Sequence, residues 1–74
     1  MKEFDLVYIK NRRTTLNKSL QNVATSLGMK NASTYMKYEN GIYAFKAEQL
    51  PVLAKTLECE VVDFFKDNVA KIEI

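Results

Sequence analysis

Residues 19–41, SLQNVATSLGMKNASTYMKYENG, constrain the fold of this chain more than any other stretch. The pattern predicts two short helices, at 20–27 and 32–40, joined by a tight turn. Ser19 stands before the first helix as an N-cap, where a serine oxygen accepts a hydrogen bond from the first turn. Gly28 ends that helix, because glycine enters the left-handed conformation that often follows a helix at little cost.

The second predicted helix is bounded in the same way, by Asn31 as its N-cap and by Gly41 after its last residue. Tyr35 and Tyr38 are three residues apart and therefore share one face, which can pack back on the first helix. Ala24 is small enough to let the two helices cross closely. A helix, a short turn containing glycine and a second helix form the helix-turn-helix pattern, whose second helix enters the DNA major groove.

These segments resemble a known family. Ser-Leu-Gln-x-Val-Ala-x-x-Leu-Gly at 19–28 and Ser-Thr-Tyr-x-Lys-Tyr-Glu-Asn-Gly at 33–41 resemble the Cro/lambda-repressor-type helix-turn-helix family, also called the xenobiotic-response-element family. The flanking segments at 9–13, 50–57 and 61–65 are similar to the first, fourth and fifth helices of that family. The resemblance covers about residues 5 to 66, and its strength lies in the Tyr-Glu-Asn-Gly end and in the order of the five pieces.

The resemblance implies an all-α fold, a compact five-helix lambda-repressor-like DNA-binding domain over residues 1–68. The expected helices are at 4–16, 20–27, 32–40, 47–57 and 61–68, with 32–40 as the recognition helix. Residues 69–74 alternate weakly between apolar and charged, so they are either a short dimerisation strand or a frayed tail. Glu58 stands where the family often has glycine; either it adopts positive φ or the fourth helix ends differently.

The expected DNA-contacting side chains are short hydroxyls, amides and lysines. Hydroxyls and amides approach base edges closely, and a lysine donates to guanine or to phosphate. The start of the first helix of the pair can also bind a phosphate oxygen. The predicted DNA-binding residues are Ser19, Gln21, Lys30, Asn31, Ser33, Thr34, Lys37, Asn40, Tyr43 and Lys46. The alternative is a capped, solvated helix surface; Ile42 and Phe45, in the following loop, are expected to seal the core.

Arg13 falls on the apolar stripe of the first predicted helix, together with Leu6 and Ile9. A buried charge without a partner is costly. The family resemblance implies a structural ion pair between Arg13 and Glu39, which joins the first and third helices. Two alternatives stay open: Arg12 is the partner of Glu39, or Arg13 reaches water from the edge of the stripe.

Charge is unevenly distributed along the chain. Residues 1–46 hold eight Lys/Arg and three acids, whereas residues 47–74 hold three Lys and six acids, within a net charge of +2. The positive half contains the helix-turn-helix pattern, which is the distribution expected if one end of the molecule meets phosphates. The alternative is an ordinary solvated surface.

Several function classes lack their sequence signals. The chain has no histidine, one cysteine, no metal-ligand cluster and no glycine-rich phosphate loop, so we expect no enzyme activity, no cofactor and no metal. The single cysteine excludes an intrachain disulfide and fits a reducing cytoplasm. The family resemblance implies a bacterial or phage-encoded, nucleoid-associated regulator. No apolar run approaches about 18 residues, so no membrane span is expected.

The expected function is sequence-specific double-stranded DNA binding by a small transcriptional regulator of the phage repressor, Cro, controller or antitoxin type. One helix-turn-helix covers few base pairs, so we expect a homodimer. Its interface should use the apolar C-terminal end, specifically Phe64, Phe65, Ile72 and Ile74. The alternative is a protein–protein interaction module that keeps the fold but does not bind DNA.

Overall fold

A computed structural model describes residues 2–67 of the chain. In chain order the elements are β1 (Lys2–Phe4), α1 (Leu6–Thr15), α2 (Leu20–Ser26), α3 (Ala32–Glu39), a 3-10 turn (Ala47–Gln49), α4 (Leu50–Thr56), a second 3-10 turn (Val61–Phe64) and β2 (Phe65–Asp67). The described part is therefore a mostly helical domain with one small sheet. Within it, no helix has the length and apolar character needed to cross a membrane.

The expected all-α fold with five helices is wrong at the C-terminal end. In the described part of the segment predicted as the fifth helix, Val61–Phe64 form a 3-10 turn and Phe65 is already extended, with φ −118° and ψ 137°. The predicted start of the first helix is also wrong, because Phe4 belongs to β1. Asp5 caps α1 instead, and its Oδ1 accepts a hydrogen bond from Tyr8 N at 3.0 Å.

Strand pairing explains both corrections. β1 and β2 run antiparallel, with Lys2 opposite Asp67, Glu3 opposite Lys66 and Phe4 opposite Phe65. Two of these cross-strand pairs join opposite charges and the third joins two aromatic rings, an arrangement that stabilises a ladder. The rings of Phe4 and Phe65 meet edge to face with their centroids 5.3 Å apart. The two ends of the described chain are thereby held together, and the predicted strand at 69–74 lies outside the described residues.

The four α-helices within residues 2–67 end in the same hydrogen-bonded turn. The residue after each C-cap has positive φ: Asn17 (58°), Gly28 (78°), Gly41 (85°) and Glu58 (55°). The next backbone N–H returns to a carbonyl five residues earlier, in the bonds Lys18 to Arg13, Met29 to Ala24, Ile42 to Lys37 and Cys59 to Ala54, at 2.8–3.0 Å. Of the two alternatives at Glu58, the structure shows the positive φ.

The core lies between the helices and one side of the sheet. Its fully buried side chains are Ile9, Val23, Ala24, Tyr35, Leu53, Leu57 and Phe64. Ile42 was expected to seal this core, and that prediction is wrong, because its side chain is 66% exposed. The same prediction for Phe45 is confirmed, since its ring packs on the core with its centroid 5.7 Å from that of Phe4 and 5.3 Å from that of Tyr38.

Candidate nucleic-acid interface

The N-terminus of α2 is capped and exposed, and the buried side of the helix packs on α3. Ser19 Oγ accepts from Asn22 N at 3.0 Å, and Asn22 Oδ1 accepts from Ser19 N at 3.3 Å, which completes a reciprocal cap. Val23 and Ala24, on the other side of α2, are fully buried. α2 and α3 pack against each other, joined by the short turn that contains Gly28.

α3 has one buried face and one exposed face. Tyr35 is fully buried and Glu39 is 5% exposed. The exposed positions of the helix and its C-cap are Ser33, Met36, Lys37 and Asn40. They are spaced three, four and seven residues from the first, so they form one stripe along the helix.

An ion pair fixes the buried face of α3 to α1. Arg13 Nε lies 2.9 Å from Glu39 Oε2, and Arg13 Nη2 lies 3.0 Å from Glu39 Oε1. The two side chains are 11% and 2% exposed. Tyr35 OH donates to the same Oε2 at 2.9 Å, and Arg13 Nη1 donates to the Lys18 carbonyl at 3.1 Å. This bidentate geometry holds the rotation of α3, and with it the direction of the exposed stripe.

Arg12, the alternative partner of Glu39, points elsewhere. Its Nε donates to the Leu57 carbonyl at 2.8 Å and its Nη2 to the Glu58 carbonyl at 2.9 Å. These carbonyls lie at the end of α4, where a helix leaves its last acceptors without intrahelical donors. Arg12 and Arg13 thus join α1 to two different helices.

The surroundings of the ion pair raise the pKa values of Tyr35 and Arg13. Burial, followed by the charge of Glu39 and their hydrogen bond, raises the pKa of Tyr35 far above its usual value. The phenol is therefore neutral and remains a donor. The hydrogen bond to Glu39 raises the pKa of Arg13 against the opposing effect of burial.

The N-terminal end of α3 is occupied by internal hydrogen bonds. Asn31 Oδ1 accepts from Thr34 N at 3.1 Å and from the hydroxyls of Ser33 and Thr34 at 2.9 Å each. Gln21 Oε1 accepts from Ala32 N at 3.1 Å, which links α2 to the start of α3. The amides of Asn31 and Gln21 therefore hold the start of α3 in position, while the hydroxyl oxygens of Ser33 and Thr34 keep acceptor capacity.

The loop after α3 brings a lysine and two tyrosines together. Tyr43 is 45% exposed, and its ring meets that of Tyr38 edge to face at 5.3 Å. Lys37 Nζ lies 5.7 Å from the centroid of the Tyr43 ring, within cation–π range. Lys46 is exposed at the end of this loop, and its N–H donates to Gln49 Oε1 at 2.7 Å. The loop thus continues the surface on which Lys37 lies.

Nine of the ten predicted DNA-binding residues are exposed, and Thr34 is half-buried. The structure places four of them on or beside the exposed stripe of α3: Ser33, Thr34, Lys37 and Asn40. Met36, which is 40% exposed, belongs to the same stripe but was not among the predicted residues. Its spacing of three from Ser33 and four from Asn40 was the available signal.

The predicted dimer residues have different surroundings. Phe64 is fully buried within the chain, so the expectation that it contacts a second copy is wrong. Phe65 is half-buried and lines an apolar surface cleft of about 500 Å³. Other residues lining this cleft include Phe4, Leu6, Tyr43, Phe45 and Leu50. Ile72 and Ile74 lie outside the described residues.

Comparison with known proteins returned no matching family model, no matching curated protein and no matching solved structure. Among residues 2–67, no group of three or more His, Cys, Asp or Glu side chains is arranged to hold a metal ion.

Proposed function

We propose that this chain is a small transcriptional regulator that binds double-stranded DNA sequence-specifically, with α3 in the major groove. The observation that carries the proposal is the two-sided design of α3. Its inner face is fixed by Tyr35 and Glu39, and its outer face exposes Ser33, Lys37 and Asn40. Side chains of these types hydrogen-bond base edges and phosphates.

The surroundings of α3 support the same proposal. The half of the sequence that contains α2 and α3 holds five net positive charges, and the other half holds three net negative charges. Lys30 before α3 and Lys46 after it are both exposed. These lysines can neutralise phosphates that flank the groove. Such phosphate contacts set the register and orientation of a recognition helix on the duplex.

The resemblance to Cro/lambda-repressor-type domains supports binding as a homodimer. A symmetric pair reads two half-sites about 34 Å apart, which gives a longer and rarer site than one helix can read. We propose that the dimer forms through the end of the molecule that carries Phe65 and residues 69–74. Residues 47–74 carry three net negative charges and residues 1–46, which contain α2 and α3, carry five net positive ones, so we place the dimer contact away from the α3 stripe.

Selection of bound sequences from random duplex DNA, followed by electrophoretic mobility shifts, tests the proposal. We expect the selected duplex to be shifted at lower protein concentration than random duplex. The logarithm of the binding constant should fall with the logarithm of salt concentration, by about 0.9 for each phosphate neutralised. Absence of any shift at micromolar protein and low salt, with every duplex pool, would reject DNA binding.

The second candidate function is a protein-interaction module, and the apolar cleft favours it. The cleft is lined by aromatic and aliphatic side chains, including Phe4, Phe45 and Phe65. Lys37→Ala distinguishes the candidates, because Lys37 lies on the α3 stripe. DNA binding predicts that this change weakens duplex binding and that Lys55→Ala, on exposed α4 surface, does not.

A further inference from the structure

We infer that Met36 is a specificity-determining residue that contacts the 5-methyl group of thymine in the major groove. The inference rests on the proposed DNA binding and adds the chemical class of base at one position of each half-site. Met36 is 40% exposed in the middle of α3, between Ser33 and Asn40 on the exposed stripe. An apolar side chain at the centre of a polar stripe can pack against an apolar group of a bound duplex.

The chemistry of Met36 limits what it can read. A methionine side chain has no hydrogen-bond donor, and its sulfur is only a weak acceptor. It therefore cannot distinguish bases through the donors and acceptors on their edges. The apolar group on the major-groove edge of a base pair is the thymine methyl, which apolar side chains contact. The unbranched, polarizable thioether can also adapt its conformation to fit that methyl.

The side chains around Met36 leave it accessible on the exposed stripe. Lys37, the next residue, is a donor that can reach a phosphate or a guanine on a neighbouring base pair. Its Nζ lies 5.7 Å from the centroid of the Tyr43 ring, so the lysine is directed toward the C-terminal loop and away from Met36. Glu39 and Tyr35 hold the opposite side of α3 in the core. Met36 is thus presented on a helix whose rotation is fixed.

Replacement of thymine by deoxyuridine removes only the methyl group and tests the inference. In the selected duplex, each thymine is replaced in turn, and binding is measured for the full chain and three variants. Met36→Ala removes the apolar contact, and Met36→Leu keeps it. Val62→Ala is the matched control, because Val62 is 63% exposed in the 3-10 turn Val61–Phe64 and is not part of the α3 stripe.

We expect one thymine position in each half-site to be sensitive. A single deoxyuridine at that position should weaken binding about fourfold, the effect of one lost methyl contact. Met36→Ala should bind the thymine and deoxyuridine duplexes equally, while Met36→Leu and Val62→Ala should retain the difference. At the same position, 5-methylcytosine should bind better than cytosine, because it restores the methyl.

Three outcomes would overturn the inference. The first is a duplex that the protein binds specifically with no sensitivity to deoxyuridine at any position, which leaves DNA binding itself intact. The second is an undiminished deoxyuridine effect in Met36→Ala, which assigns the methyl contact to another residue. The third is failure to bind any duplex, which rejects the proposed function together with this inference.

Discussion

Arg13 and Glu39 form a bidentate ion pair across 26 residues of sequence, with Nε–Oε2 and Nη2–Oε1 distances of 2.9 and 3.0 Å. The pair joins α1 to α3 and is almost enclosed, since the Glu39 side chain is 2% exposed. It lies directly behind the stripe that we propose meets DNA. Stability and DNA binding should therefore both depend on it.

Removal of either partner should be strongly destabilising. Arg13→Ala leaves the Glu39 carboxylate buried with Tyr35 OH as its remaining side-chain donor. Loss of one member of a buried pair costs about 3–5 kcal/mol. A double-mutant cycle by urea unfolding should show strong coupling between Arg13→Ala and Glu39→Ala.

The exposed ion pair of the sheet is the matched control for that cycle. Lys2 Nζ lies 3.3 Å from Asp67 Oδ1, but the two side chains are 60% and 59% exposed. A solvent-exposed pair contributes only about 0–1 kcal/mol. Equal, near-zero coupling in both cycles would contradict the structural role assigned to Arg13.

Glu58→Gly should stabilise the domain. Glu58 has φ 55° after the last turn of α4, a conformation that strains residues with a Cβ atom. Glycine removes that strain but loses more conformational entropy on folding, so the net gain should be up to about 1 kcal/mol. The hydrogen bond from Arg12 goes to the backbone carbonyl of residue 58 and survives the change.

Asn17→Gly is the control for Glu58→Gly, since Asn17 has φ 58° in the equivalent position after α1. Asparagine tolerates this conformation better than glutamate, so the gain at residue 17 should be smaller. Thermal or urea unfolding of the two variants measures the difference. A loss of stability in Glu58→Gly would show that its side chain contributes more than its backbone conformation costs.

Alkaline pH should destabilise the chain partly through Tyr35. The folded chain raises the pKa of Tyr35 above its usual 10.0, so it holds the phenolic proton where the unfolded chain has lost it. This contribution to stability is complete below about pH 10 and is lost as pH rises above it. As pH rises above about 10, the free energy of unfolding of the wild type should fall more steeply than that of Tyr35→Phe. The two slopes should differ by up to about 1.4 kcal/mol per pH unit. Parallel curves between pH 8 and 11.5 would contradict this.

Association should depend on the C-terminal end of the molecule. Phe65→Lys introduces a charge at the apolar cleft, and deletion of residues 69–74 removes the predicted dimerisation segment. Both changes should weaken association in sedimentation experiments at several concentrations, while the helical circular dichroism remains. Val62→Lys, on exposed surface of the preceding 3-10 turn, should have a smaller effect. A monomer at every concentration, with and without DNA, would reject the dimer.

The sequence contained enough local information to locate the central helices. Ser19 and Asn31 are the N-caps of α2 and α3, and Gly28 and Gly41 follow their ends, because capping depends on neighbouring residues. The resemblance also implied the Arg13–Glu39 contact, which no local pattern could choose over Arg12.

The small sheet could not be predicted in the same way. β1 and β2 have three residues each, too few for a two-residue alternation to be distinguished from chance. Their pairing joins residues more than 60 positions apart, and the deciding features are the facing pairs Lys2–Asp67 and Phe4–Phe65. The apolar residues around Phe65 suit a short helix equally well. Because the sequence did not identify β1 as a pairing partner, a fifth helix was predicted there.

Met36 was missed for a different reason. The sequence predictions selected hydroxyl, amide, lysine and tyrosine side chains as DNA contacts and gave Met36 no role. The buried positions Tyr35 and Glu39 determine which side of α3 faces out, and Glu39 is buried only because Arg13 pairs with it. The spacing of Met36 from Ser33 and Asn40 was available in the sequence, and the Arg13–Glu39 contact adds the rotation of α3 that exposes it.

Chemical-shift mapping of the ¹⁵N-labelled chain with the selected duplex tests the central claim most directly. The account predicts that titration perturbs the amides of residues 19–21 and 31–46, with the largest changes along α3, and that Lys37→Ala reduces them while Lys55→Ala does not. Shifts centred on β1, β2 and the cleft residues outside 31–46, such as Leu6 and Leu50, or none with any duplex, would contradict the assignment of α3 as a DNA-reading helix.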